Sequence, residues 1–423
     1  MITTAVLLIL GASSPTEQGL GPREGEAVLA LRSMREPTPP ATEQVVQSLS
    51  EKPDNVAFLV DLLIQRKLPA LVEGGREQAL NVFQEGAILA ALEGREASSI
   101  RAAIRVALSA EVTANHRRAA ILVLGRAVGG PALEDIVAIF AADDGVNAVE
   151  DAFVEALATV MKSGPESIEQ VKHSWRTFPP HVVPHLVRAI GSAGDHRALH
   201  LLGEVMVWRT DLDVLVVSQL PLVGRYVPGF EDSFGDSVSA MLADQRPVAV
   251  QTALAALGTV AGMDSVESLI ALLDEESRAV SDQALQVLHR VSGMSFPQSA
   301  EMWREWFELE QAWLRRHEGQ VFEGLTSGHR ARQVAGLREA AHHPLFRANW
   351  SAAWETLLTS NDEAVRMNTC SVIQRIGARE PVPLLVELLE HESETTRLAA
   401  HRALTGVTGW SLAADAALWR EAL

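Results

Sequence analysis

Five of the thirteen histidines in this 423-residue chain fall between positions 173 and 200: His173, His181, His185, His196 and His200. His196 and His200 stand four residues apart and Glu204 continues the interval, so a helix would carry two imidazoles and a carboxylate down one side. That is a common ligand set for a divalent metal, and metal-dependent or lyase-type chemistry centred on 181–204 is one reading of the chain. The competing reading is a group of solvated or capping histidines. His181 and His185 repeat the spacing, but Pro184 interrupts a continuous helix between them. Sulfur offers less. Cys370 is the only cysteine, which excludes an intrachain disulfide, and it shares an apolar helical pattern with Val365, Val372 and Ile373. A small core residue is expected there. No glycine-rich phosphate cradle and no serine-centred elbow occurs, and Gly129-Gly130 reads as a hairpin turn. The residues therefore point to no catalytic group and no cofactor, with His196, His200 and Glu204 as the metal-binding alternative.

The elements that would position such residues follow a long period. Leu124, Leu157, Ile190, Val223, Leu257 and Leu288 are 33, 33, 33, 34 and 31 residues apart. Three positions before each stands another apolar residue: Ile121, Val154, Val187, Leu220, Leu254 and Leu285. A glycine follows four of the six, at Gly125, Gly191, Gly224 and Gly258. Spacings of this size mark stacked helical hairpins. In the unit at 115–141, Asn115 is placed to cap a first helix, Gly129-Gly130 end it, and Pro131 suits the first turn of a second. The second helix carries Leu133, Ile136, Val137 and Phe140 on one stripe, and the same stripe recurs as Val266, Leu269, Ile270 and Leu273. One such pair cannot bury its own apolar faces, so neighbours must stack.

The formal charge of −18 disfavours a nucleic-acid partner, because a phosphate-binding surface needs clustered cations. No apolar run approaches the roughly 18 residues of a bilayer span. The first residues, apolar from Ala5 to Leu10 and then small through Ser14, resemble a shortened secretory signal, so 1–14 is a signal segment in an exported or periplasmic reading and an ordinary N-terminus in a cytoplasmic one. Residues 15–75 read as a leader with a short helix at Glu26–Met34, loose elsewhere, with helical patterns over Val56–Leu63 and Gln78–Leu92.

The stretch Asn361-Asp362-Glu363-Ala364-Val365-Arg366, then Ile376-Gly377, then Val382-Pro383-Leu384-Leu385-Val386-Glu387-Leu388-Leu389 resembles a HEAT repeat of the short bacterial, PBS-lyase-like type. Arg397 follows Arg366 by 31 residues. The resemblance implies an all-α fold, an α-solenoid of stacked hairpins whose second helices line a concave face. HEAT arrays serve many roles; the role expected of this one is a non-catalytic scaffold that binds another protein through that concave face. HEAT-type deoxyhypusine hydroxylases use repeated His-Glu pairs; His317-Glu318 and His391-Glu392 occur here, the second between repeat units, so the resemblance does not extend to that enzyme. Asp and Arg positions that often recur in such repeats are irregular, as at Phe153 to Leu157.

A second internal repeat interrupts the first. Val291-Ser292-Gly293-Met294-Ser295-Phe296, then Trp303-Arg304-Glu305, matches Val407-Thr408-Gly409-Trp410-Ser411-Leu412, then Trp419-Arg420-Glu421, at a constant offset of 116. Each copy follows a repeat helix. Trp303 and Trp419, introduced by Gly293 and Gly409, are read as caps that cover exposed apolar ends; a tryptophan-lined ligand groove is the rival. The organisation expected is an array over 76–290, a Trp-containing cap or insertion over 291–327, and a second array with its own Trp cap over 328–423. On the second helices Glu267, Glu387 and Glu390 point outward, an acidic face that would favour a basic protein partner. The oligomeric state is not legible.

Overall fold

A computed structural model describes residues 22–34, 39–51, 55–70, 76–110, 113–142, 149–223, 226, 234–260 and 265–423. The signal-like segment and Gly224 lie outside them. All six register residues from Leu124 to Leu288 are buried, as are Ile121, Val187, Leu220 and Leu254, while Val154 and Leu285 are half-buried. The period is therefore the spacing between successive first helices, each burying the same face. Gly125 shows why a glycine follows: a Cβ there would lie 2.7 Å from the Ala156 Cβ of the next first helix. Gly191 meets Gln219 in the same way.

The chain divides into two compact units, Met1–Ala189 and Ile190–Leu423. In the first, the proline-rich leader is more helical than expected: helices span Pro22–Ser33 and Pro39–Ser50. Pro39 opens its helix, where a missing N–H costs nothing. Leu31 and Leu49 are buried, and Gln84 Nε2 donates to Leu31 O at 2.9 Å, fastening the leader to the following hairpin. Gln78 is not helical. Gln78–Ala79 pairs antiparallel with Lys67–Leu68, the only strands among the described residues, and the helix begins at Val82 behind a capping box of Asn81 and Gln84. The next first helix, Ala114–Val123, is capped by Thr113 and not by Asn115; the Thr113 side chain accepts from His116 N. Second helices Ala97–Ala110, Leu133–Ala141 and Pro165–Ser174 complete the hairpins.

In the second unit the 116-residue offset extends well beyond the tryptophan motif. Helices Val266–Ala271 and Val382–Glu387, each followed by a 3-10 turn, and then Arg278–Ser292 and Glu394–Thr408, keep the same bounds shifted by 116 (266 to 382, 278 to 394). Gly293 and Gly409 end them in the left-handed region, φ 71° and 76°. The tryptophan hydrogen bonds match atom for atom. Trp303 Nε1 donates to Pro297 O at 3.1 Å and Trp419 Nε1 to Ala413 O at 2.8 Å. The carbonyl of Phe296 is bonded by His289 and that of Leu412 by His401, histidines one turn apart in the two copies. Both tryptophans are fully buried. The copies part company afterwards: the first runs on as a 26-residue helix, Ala300–Leu325, packed against Arg330–His342. Beyond it the array returns. Arg197 lies 3.8 Å from Glu421, Tyr226 meets Trp410 edge-on, and Arg379 Nη2 donates to Thr259 O at 2.9 Å. Residues 197–259 and 379–421 thus face each other in antiparallel order within this unit.

Candidate functional site

His196 opens a 3-10 turn, His196–Ala198, and the α-helix starts at Leu199. His200 and Glu204 lie on Leu199–Trp208; the His196 side chain lies outside the described ones. Among the described residues no three His, Cys, Asp or Glu side chains converge as a metal-binding group. His173 is exposed and bonds Glu169 O of its own helix. His185 is different. It sits against Phe140 and Phe153, ring centroids 5.0 and 6.4 Å away, with Nδ1 3.8 Å from Glu150 Oε2. Burial pushes its pKa down; Glu150 opposes this, and Arg188 and His181 reinforce it. Cys370 is buried in helix Glu363–Ile376 and burial raises its thiol to about 12, so it is an inert core residue.

The acidic second-helix residues fare unequally. Glu267 and Glu387 are exposed. Glu390 is exposed too, but both its oxygens accept from Arg420, at 2.8 and 2.7 Å, which ties successive second helices together. That bond holds the Glu390 carboxyl below its usual range. The first helices have a complementary device. Arg366 Nη1 donates to Ser360 O at 2.6 Å and Arg397 Nη1 to His391 O at 2.8 Å, each reaching six residues back to the turn before its helix. The polar ladder, irregular in sequence, is regular over these two units.

Two concavities gather chemistry that sequence spacing did not single out. One, of about 690 Å³, opens between Ala300–Leu325 and Arg330–His342 where the helices diverge from a close crossing at Gly324 and Gly336. At its far end the Trp313 ring is stacked on His343 at 3.4 Å, and His343 Nδ1 donates to Glu310 Oε2 at 2.8 Å. The other, of about 440 Å³, lies in the first unit between the second helices Ala97–Ala110 and Leu133–Ala141, with Leu124 of the first helix at its floor. Asp135 accepts there from Arg101 and from Arg105, the latter at 2.8 Å. Burial alone would raise the Asp135 carboxyl; the two arginines outweigh it and bring it below the ordinary value. The signal for this site was present, Arg101 and Arg105 one turn apart, but pairing them with Asp135 requires the register between hairpins.

Residues 351–418 match the family model for HEAT repeats, and the chain carries HEAT repeats there. No curated protein matches the chain. Among solved structures it is similar to the karyopherin Kap121p bound to the SUMO protease Ulp1p, at 13% identity over 91% of this chain and 49% of that one, TM-score 0.37. A Kap121p mutant gives 14% over 90% and 47%, TM-score 0.35. A designed armadillo repeat protein gives 15% over 63% and 96%, TM-score 0.18. The chain spans about half the length of the karyopherin chains. No described helix is long and apolar enough to cross a membrane.

Proposed function

We propose that this helical-hairpin array is a non-catalytic scaffold that binds another protein through its second-helix faces. The observation that carries the reading is the division of labour within each hairpin. Buried stripes such as Val266, Leu269 and Ile270 lock the second helices in place, while Glu267 and Glu387 project from the same helices into solvent. A surface fixed in this way loses little conformational entropy on binding and derives its affinity from area and complementarity. In the second unit the exposed acids favour a basic partner, with Glu390 serving mainly to hold Arg420. Trp303 and Trp419 act as buried plugs: their indole N–H groups are bound within the motif, which leaves no polar edge for a ligand. The test is charge reversal. Glu267→Lys with Glu387→Lys slows association with a captured partner and reduces its salt dependence, while the melting temperature stays put because exposed charges contribute little to stability. An association rate insensitive to both salt and reversal contradicts the acidic face.

A further inference from the structure

We infer that the 440 Å³ groove of the first unit is the docking site for an acidic, amphipathic segment of a partner protein. This deepens the protein-binding reading and rests on it. The groove lies between consecutive second helices, the elements to which the proposed function assigns binding. Its walls are apolar, with half-buried Leu108 on one helix and Ile139 on the other, over the fully buried Ile104 and Leu124. An aliphatic side chain entering it would leave water on several sides at once. Its described rim is cationic, which is unusual in a chain of net charge −18. Arg101 and Arg105 border it, with Asp135 the one carboxylate among its described lining residues.

The arrangement is pre-ordered. Asp135, with a side chain only 18% exposed, binds Arg101 and Arg105 together and so fixes both guanidiniums at the groove edge. Arg105 stays 65% exposed while doing so, and Asp135 occupies only part of its five-donor fork. A carboxylate of the partner would reach that fork while a neighbouring apolar side chain fills the groove. Glutamate and leucine on one helical face meet both demands. A phosphodiester chain meets only the first, since it has no aliphatic group for the walls.

The experiment uses the full chain and a fluorescently labelled helical peptide carrying leucines on one face flanked by glutamates, followed by anisotropy. The acidic peptide binds saturably, and its counterpart with lysine for every glutamate does not. Arg105→Ala weakens binding by about tenfold or more, the size expected when a charge-assisted contact is lost. Ala138→Phe, which fills the groove from an exposed position without touching a charge, weakens it similarly with an unchanged far-ultraviolet circular dichroism spectrum. Absence of saturable binding, equal binding of the lysine peptide, indifference to both variants, or displacement by single-stranded oligothymidine in preference to peptide each overturns the proposal. Capture of natural partners separates its failure from that of the wider reading. A protein retained equally by the wild type and by Ala138→Phe overturns the groove and leaves the scaffold standing; absence of any stoichiometric protein overturns both.

Discussion

Trp303 and Trp419 are fully enclosed, so each substitution to alanine removes a large packed ring and costs about 3 kcal/mol or more in chemical denaturation. A finer comparison isolates the indole N–H. Trp419 Nε1 is bound to Ala413 O, whereas the Trp354 Nε1 is buried with no hydrogen-bond partner. Trp419→Phe therefore costs about 1 kcal/mol more than Trp354→Phe, because only the former breaks a hydrogen bond; equal costs would show that the motif's hydrogen bond contributes nothing. His185 predicts a pH dependence. Its pKa is lowered from 6.5, so below about 6.5 the unfolded chain binds the proton that the folded chain resists, and stability falls as pH drops through that window. His185→Phe, which keeps a ring against Phe140 and Phe153, loses less melting temperature than the wild type between about pH 7.5 and about pH 5. Burial of Cys370 was legible from apolar spacing, and that of both motif tryptophans from their repeated place after a repeat helix. The environment of His185 was not, because it depends on two phenylalanines and a glutamate from other hairpins.

Among the elements, the register of first helices was readable because every one of them buries the same face, and a 33-residue spacing survives as long as hairpins keep their length. Local signals misled where tertiary pairing intervened. Gln78 is drawn out of the helical pattern into a two-residue ladder opposite Leu68, and Thr113 displaces Asn115 as cap because its oxygen reaches His116 N. The 116-residue offset was visible only in the segments 291–305 and 407–421; the helices before them share bounds more than residue identity. The glycine positions give a direct test of stacking. Gly125→Val forces its Cβ onto Ala156 and costs about 1–3 kcal/mol, and Ala156→Gly in the same chain restores only the part due to the Ala156 methyl, because the Ala156 Cα and carbonyl oxygen, 2.8 and 3.1 Å from the new atom, remain. Additive losses in the double variant would mean that these two helices do not meet as described.

At the scale of the whole molecule, most of the fold follows from repetition, but the way the second unit doubles back does not. Arg379 with Thr259 O and Tyr226 with Trp410 join residues more than a hundred positions apart, and no periodicity announces such pairs. The candidate binding surface was half legible. Exposed acids could be placed on second helices, yet Glu390 turned out to be engaged by Arg420, and the arginine-rimmed groove of the first unit emerged only once consecutive second helices were set side by side. The central claim is that these faces bind protein. The most direct measurement is affinity capture from the native source on the wild-type chain and on Glu267→Lys/Glu387→Lys, with bound proteins quantified. The account predicts at least one protein held in stoichiometric amount by the wild type and depleted on the variant at equal folding; no stoichiometric protein, or the same protein held equally by both chains, would contradict it.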